Sequence, residues 1–471
     1  MSKLLFTATV RSLRRLALNR TGVRLAALTI LAVLSAVGLY PQPAGAQDRE
    51  VITFNEAVRI ALEQNVDLQR VENTAELSAL EVTRSRMAFF PDFSVSGRGS
   101  QNYGRNFIAD EGRVLNQTTE SISVGVGSSI NLFNGYRDVA GLRQSQLLLK
   151  AGELDYDRAR QAVVFQVMSD YLLLVEQREQ INVHRENIEA QRQQLAQIEG
   201  FVEVGTRPIS DLYQQQAAVA SAELSLVDAE RAYQLVEVRL IQTLLLDPFK
   251  DYAFEVPEIG EEGIAAQQYD LGELLETAFQ RRIDLEAREA DIEAANQGIR
   301  VARGAQWPTI GLSLGYGTNY TTADRQFALF DQLDQRRGGS IDLNISLPIF
   351  DRYNTRVGIE RAQVQLNNAR LALEGQRQEV AAQVRQAYLD YLSSAKSVQV
   401  SETQVRAAQM ALEVEEERYA VGAGTLVELS LARAEYIRAA SNQVAAKYDH
   451  LFQTKLLDYY RGVLDPLQPV F

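Results

Sequence analysis

The feature that most limits what this chain can fold into is an internal duplication. Asp67-Leu68 recurs as Asp284-Leu285, Phe90-Pro91 as Trp307-Pro308, Phe133 as Phe350, and Val204-Gly205 as Val421-Gly422. Every pair is separated by 217 positions, and Gln166, Val167 and Tyr171 return at the same offset as Gln383, Val384 and Tyr388. Chance likeness between helical segments would scatter in offset, so one shared value means two copies of one unit. The first copy spans about 52–248 and the second about 269–462. Pro257, Gly260 and Gly263 mark 249–268 as a linker.

Each copy reads the same way. A short helix (54–64, 271–281) precedes a second one (67–89, 284–306), which must end before Pro91 or Pro308 because the residue before proline avoids the α region. The period then changes to two. Ile122, Val124, Val126, Ile130 and Leu132 alternate with Ser123, Gly125, Gly127, Ser129 and Asn131. Ile310, Leu312, Leu314, Tyr316 and Tyr320 alternate with Gly311, Ser313, Gly315, Gly317 and Asn319, and Ile341, Leu343, Ile345 and Leu347 with Asp342, Asn344 and Ser346. A weaker strand covers 93–103. One face is aliphatic or aromatic and the other small and polar, the pattern of a membrane barrel with lipid outside and water inside. Tyr103, Phe133, Tyr316, Tyr320 and Phe350 are expected at strand ends, as an interfacial girdle. Polar loops, 104–118 and 321–338, separate the strands.

A proline-free helix follows in each copy (137–203, 354–420), about 100 Å long at 1.5 Å per residue. Its seam in copy two is Val380, Val384, Ala387, Tyr391, Ala395 and Val398, stepping by three and four. A glycine turn leads into a return helix of about 40 residues. That helix and the one before the strands are expected to stack end to end beside the long helix.

Lys3 and five arginines precede an apolar run, Leu25 to Leu39, and a small-x-small site at Ala44-Gly45-Ala46. This order predicts a cleaved secretory leader over 1–46. The domains are then 47–248 and 269–471. Losing the six basic residues takes the net charge from −13 to −19, which is unsuited to nucleic acid. There is no cysteine, and no later stretch approaches the length of an apolar spanning helix, so any membrane crossing uses strands.

Four strands cannot close a barrel, and an open edge cannot face lipid. Oligomerisation is therefore expected. Three copies supply twelve strands, whereas two leave too narrow a bore. The leader, the duplication, Leu347-Pro348-Ile349-Phe350-Asp351 at a strand-to-helix junction and the paired Val-Gly turns together resemble the TolC-type outer-membrane efflux proteins. The resemblance implies a mostly helical α+β membrane protein. It would be a homotrimer with a 12-stranded β-barrel continued by a long α-helical coiled-coil barrel into the periplasm. It also implies an outer-membrane location in contact with lipid, with a periplasmic adaptor and an inner-membrane pump as partners. The function implied is export, by efflux or type I secretion. A periplasmic coiled-coil adaptor is the alternative, but it would not need the strand pairs.

No nucleophile–base pair, phosphate-binding loop or metal-ligand set is visible around His184 or His450, so neither enzyme activity nor a cofactor is expected. The candidate functional residues lie in the two turns. By resemblance, Val204, Gly205, Thr206, Val421 and Gly422 form a periplasmic tip that meets the adaptor. Asp211 and Tyr419 match a family gate. Gly424 replaces the gate's arginine, for which Arg207 stands at the equivalent place in copy one. Glu428 matches an inward acidic ring, and Leu431 departs from a second. Read locally instead, Asp211 and Glu428 each place a carboxylate in a first helical turn, where the helix dipole favours it.

Overall fold

The computed structural model describes residues 50–108, 112–116, 118–255, 267–324 and 327–464. The leader and most of the linker lie outside them. The chain divides into two compact units. Of the smaller, only Glu50 and Asp251–Ala253 are described, in short extended segments. The larger, Val51–Lys250 with Phe254–Phe471, carries all the helices and the four-stranded sheet.

In order, the elements are β1 (Glu50–Ile52), α1 (Phe54–Gln64), α2 (Val66–Met87), β2 (Ser94–Asn102), β3 (Arg105–Ile108), β4 (Arg113–Asn116) and β5 (Thr119–Phe133). Then come α3 (Arg137–Glu203), α4 (Ile209–Thr243), β6 (Tyr252–Phe254), α5 (Leu271–Arg281), α6 (Ile283–Gly304) and β7 (Thr309–Thr321). The last are α7 (Leu329–Gln335), β8 (Gly338–Ser346), α8 (Asn354–Ala420) and α9 (Leu426–Tyr460). Side chains fix several helix starts: Thr53, Asn65 and Asp270 accept from the backbone N–H of Glu56, Leu68 and Glu273, satisfying donors that the helix leaves free.

The four long strands form one antiparallel sheet in the order β2-β5-β7-β8. Its register aligns like with like. Ile130 faces Leu312, which faces Leu343; Val95 faces Val126, which faces Tyr316. On the other face Ser129 meets Ser313 and Ser313 meets Asp342. The apolar face is uncovered: Val95, Val124, Leu314, Ile341, Leu343 and Ile345 are all exposed. No helix among the described residues is long and apolar enough to cross a membrane.

In the strand region three expectations change. The loop at 104–118 holds the β3–β4 hairpin. The loop at 321–338 holds α7, fixed by Gln332, whose buried amide donates to the carbonyls of Thr321, Asp324 and Phe327. Each gains its order from hydrogen bonds within the loop, which a hydrophobic pattern does not report. Tyr316 sits mid-strand between Val126 and Gly339, so it is no part of a strand-end girdle.

The long helices carry 67 residues each and the return helices 35, shorter than expected. Along α3, α2 lies beside Gly152, whose Cβ position is 3.7 Å from the Ala75 methyl. Farther along, α4 lies beside it through Arg192–Glu223 at 2.7 Å and Gln215–Gln191 at 2.7 Å. In α8, Val380, Val384, Ala387 and Tyr391 are buried, but the seam then moves to Ser394 and Ser401 while Ala395 and Val398 are half-buried. The serines are tolerated because their hydroxyls bond backbone carbonyls, and Ser394 also meets the buried His450 ring at 3.0 Å.

Two tyrosines tie the segments entering each repeat to its long helix. Tyr171 donates to the Ile52 carbonyl at 2.9 Å. Tyr391 donates to the Gln267 carbonyl at 2.8 Å and accepts from its N–H at 2.6 Å. A buried polar hub at the α5–α6 junction joins α6, α8 and α9. Arg282 forks onto both Asp284 oxygens at 2.8 and 2.6 Å and bonds Gln383 and the Tyr460 carbonyl, and Gln376 donates to Asp284 at 2.9 Å.

Candidate functional site: the two hairpin tips

Both turns close by the same hydrogen-bond pattern. Gly205 takes φ +73° and donates to the Val202 carbonyl at 3.0 Å, and Thr206 donates to the Phe201 carbonyl at 2.9 Å. In the second copy Gly422 takes φ +77° and donates to Tyr419, and Ala423 donates to Arg418 at 2.8 Å. These are Schellman closures, and only glycine takes the left-handed position without strain. The duplication of Val-Gly thus has a backbone cause.

The return helices start differently. Pro208 caps α4 with its fixed φ and no side-chain bond. Thr425 caps α9 through a full capping box: Glu428 N–H donates to its hydroxyl at 3.3 Å, and its own N–H donates to the Glu428 carboxylate at 2.9 Å. These bonds hold the Glu428 carboxyl below its ordinary pKa. Thr425→Ala is expected to cost about 1 kcal/mol at the start of α9. Faster hydrogen exchange over Leu426–Leu429 would register that loss, and unchanged exchange would refute it.

The tips meet across the repeats. Arg207 reaches from the first turn to the end of α8, where its guanidinium donates to the Tyr419 carbonyl at 2.6 Å and lies 4.3 Å from the Tyr419 ring centre. Tyr419 is 3% exposed, packed with Ile198, Leu412, Leu426 and Leu429, and its hydroxyl has no hydrogen-bond partner. Burial, with Asp211 nearby, raises its pKa against the pull of Arg207. Asp211 therefore lies close, but it bonds neither residue. Gly424 is constrained too: a Cβ there would sit 3.2 Å from the Arg418 Cβ and 3.3 Å from the Tyr419 nitrogen. An arginine at 424 would crowd the end of α8, whereas Arg207 reaches the same spot from outside.

Val204, Gly205, Thr206, Val421 and Gly422 are all exposed. Around them stand Ile209, Tyr213, Val427 and Leu431, also exposed. Sequence periodicity did not single out this apolar fringe, because short helix starts carry too few residues to define a face. It also missed Arg433, buried in the α3–α9 seam, where it pairs with Glu416 and reaches the Ala190 carbonyl. No cluster of three or more potential metal ligands occurs among the described residues.

The sheet, the paired hairpins and the duplicated turns match one family model over residues 57–244 and 274–457, described as outer membrane efflux protein. The chain belongs to that family. It is an outer-membrane protein of the TolC type, and the relatives that share this fold are channels. Protein CyaE of Bordetella pertussis is 26% identical over 406 residues, covering 86% of this chain and 83% of CyaE. Outer membrane protein TolC of Vibrio cholerae is 23% identical over 412 residues, covering 86% of this chain and 89% of TolC. A crystal structure of CusC shares the fold with a TM-score of 0.75 at 18% identity, over 87% of this chain and 92% of CusC.

Proposed function

We propose that this efflux protein is the outer-membrane exit duct of a tripartite export system, acting as a homotrimer that receives cargo from an inner-membrane pump through a periplasmic adaptor. The observation that carries this is the sheet. Its four strands present one exposed apolar face and one small polar face, and the outer edges of β2 and β8 have no strand partner among the described residues. Lipid contact demands closure, and three copies close a 12-stranded barrel with an open lumen. Residues 1–46 act as the leader, and 47–248 and 269–471 as the two repeats about the linker. Detergent-extracted protein should have the native mass of three chains and conduct ions in planar bilayers. A monomeric mass without conductance would overturn the proposal.

The exposed Val204, Gly205, Thr206, Val421 and Gly422 suit the adaptor contact, since rigid turns fringed by apolar side chains bind with little ordering cost. The contact of Arg207 with Tyr419, with Asp211 beside it, suits a latch that keeps the tip narrow until the adaptor binds. Glu428, spent on its capping box, suits a structural role better than an ion-selecting ring. Arg207→Ala should raise resting conductance by about tenfold, the effect of removing roughly 1.4 kcal/mol of charge-assisted contact. Unchanged single-channel current would end the latch reading.

A further inference from the structure

The two repeats touch one another inside the chain through α3 and α6, and the 217-residue offset converts that internal seam into a template for an external one. The faces corresponding to α3 and α6 are α8 and α2, and these are left uncovered. Three internal contacts define the seam. Gly298 of α6 lies against Gln144, its Cβ position 3.1 Å from the amide nitrogen. Lys150 pairs with Glu286 at 2.7 Å, and Arg288 with Asp155 at 2.8 Å. Shifted by 217, these become Glu81 with Arg361, Asn367 with Gln69, and Ala372 with Val71. The chemistry has changed at every position and stays matched at every position: an opposite-charge pair, an amide pair and an apolar pair. Uncoupled surface positions have no reason to change in step.

Farther down the helices the correspondence continues. Leu172, which is 2% exposed, lines a gap against Tyr448, Asp449 and Phe452 of α9. Its counterpart Leu389 is 54% exposed, and so is Leu235, the counterpart of Phe452, at 58%. The occupant fitting these faces is therefore a second copy of this chain. We infer that α8 of one copy joins α2 and α4 of the next in the register of the internal α3–α6 and α3–α9 seam, with an intermolecular ion pair between Glu81 and Arg361. Glu81 already bonds Arg84 of its own helix at 2.7 Å, so the neighbour's arginine adds a second cation to an oriented carboxylate.

The two kinds of seam differ at the barrel end. Internally, Gly135 and Gly304 are buried with their backbones in contact; a Cβ on Gly135 would stand 2.2 Å from the Gly304 carbonyl oxygen. Their counterparts are Arg352 and Met87, both exposed. Side chains of that size forbid so close an approach, so the intermolecular seam is wider there than the internal one.

This inference rests on the homotrimer reading, and the test separates them. The chain has no native cysteine. Val71→Cys with Ala372→Cys, treated with a short bis-maleimide, should give covalent dimers and trimers on denaturing gels. Glu81→Arg or Arg361→Glu should each lower the yield of detergent-resistant oligomer about fivefold, and the double reversal should restore it. A three-chain native mass without this cross-link would overturn the seam and leave the trimer standing. A monomeric mass would overturn both. Single reversals that weaken assembly without mutual rescue would overturn the ion pair.

Discussion

Gly135→Val is expected to lose more than about 3 kcal/mol and most of the assembled protein. Gly135 holds φ +68°, where a β-branched residue is strained by about 1–2 kcal/mol. Its new Cβ would also stand 2.2 Å from the Gly304 carbonyl oxygen and 2.8 Å from the Trp307 Cβ. These are a backbone atom and the root of a rigid side chain, so no rotamer change relieves the overlap, and overpacking adds a further cost of about 1–3 kcal/mol. The site joins the last turn of α6 to the start of α3, so the damage falls where sheet passes into helix. Arg352 occupies the corresponding place in repeat two at φ +56° and is exposed. Arg352→Gly should therefore change stability by less than about 1 kcal/mol, because relief of backbone strain is offset by a freer unfolded chain. The comparison is made by the melting of the detergent-extracted protein and its yield in the outer-membrane fraction. Equal melting of the two variants would refute the close-joint account.

Arg282→Met should cost about 3–5 kcal/mol, the usual penalty for stranding one member of a buried ion pair. The Arg282 side chain is 3% exposed and forks onto Asp284. Burial alone would raise the Asp284 carboxyl. The hydrogen bonds and charge of Arg282, helped by Arg158, outweigh it and hold the pKa below the ordinary value. A carboxyl depressed in this way stabilises the fold above the usual carboxylate range, and its contribution is lost only as pH falls through the lower folded value, below about pH 4. Removing Arg282 reverses the sign. Burial then dominates, the carboxyl rises, and the variant should be weakest at neutral pH and regain stability as the medium is acidified towards about pH 5. Urea unfolding across that range checks both parts. A variant that weakens steadily on acidification, as wild type does, would rule out the stranded carboxylate.

Those two sites show what pattern alone could not reach. Helix positions and the lengths of the long helices followed from proline placement and three-four periodicity. Strand identity and the two-faced sheet followed from strict alternation. The turns followed from Val-Gly, because a Schellman closure needs only local hydrogen bonds and a residue free to take positive φ. All of these are decided within a few residues of chain. The hub around Arg282 was not visible, since Gln383 lies far along the chain and the carbonyl of Tyr460 farther still. The gate candidates were legible as residue types but not as contacts: that Arg207 binds the Tyr419 backbone, while Asp211 stands near without bonding, depends on how two distant helix ends meet.

The duplication by itself determined that two like units exist, that each carries two barrel strands and a long helix with its return, and that four strands cannot close alone. Periodicity and offset are properties of the linear chain, and these conclusions need nothing else. Only the tertiary structure decided which copies of each face become buried. Gly135 and Gly304 touch and are covered, whereas Arg352 and Met87 are left open, although all four hold corresponding places in the repeat. Burial depends on what lies across the seam, and that neighbour is set by packing between elements more than a hundred residues apart.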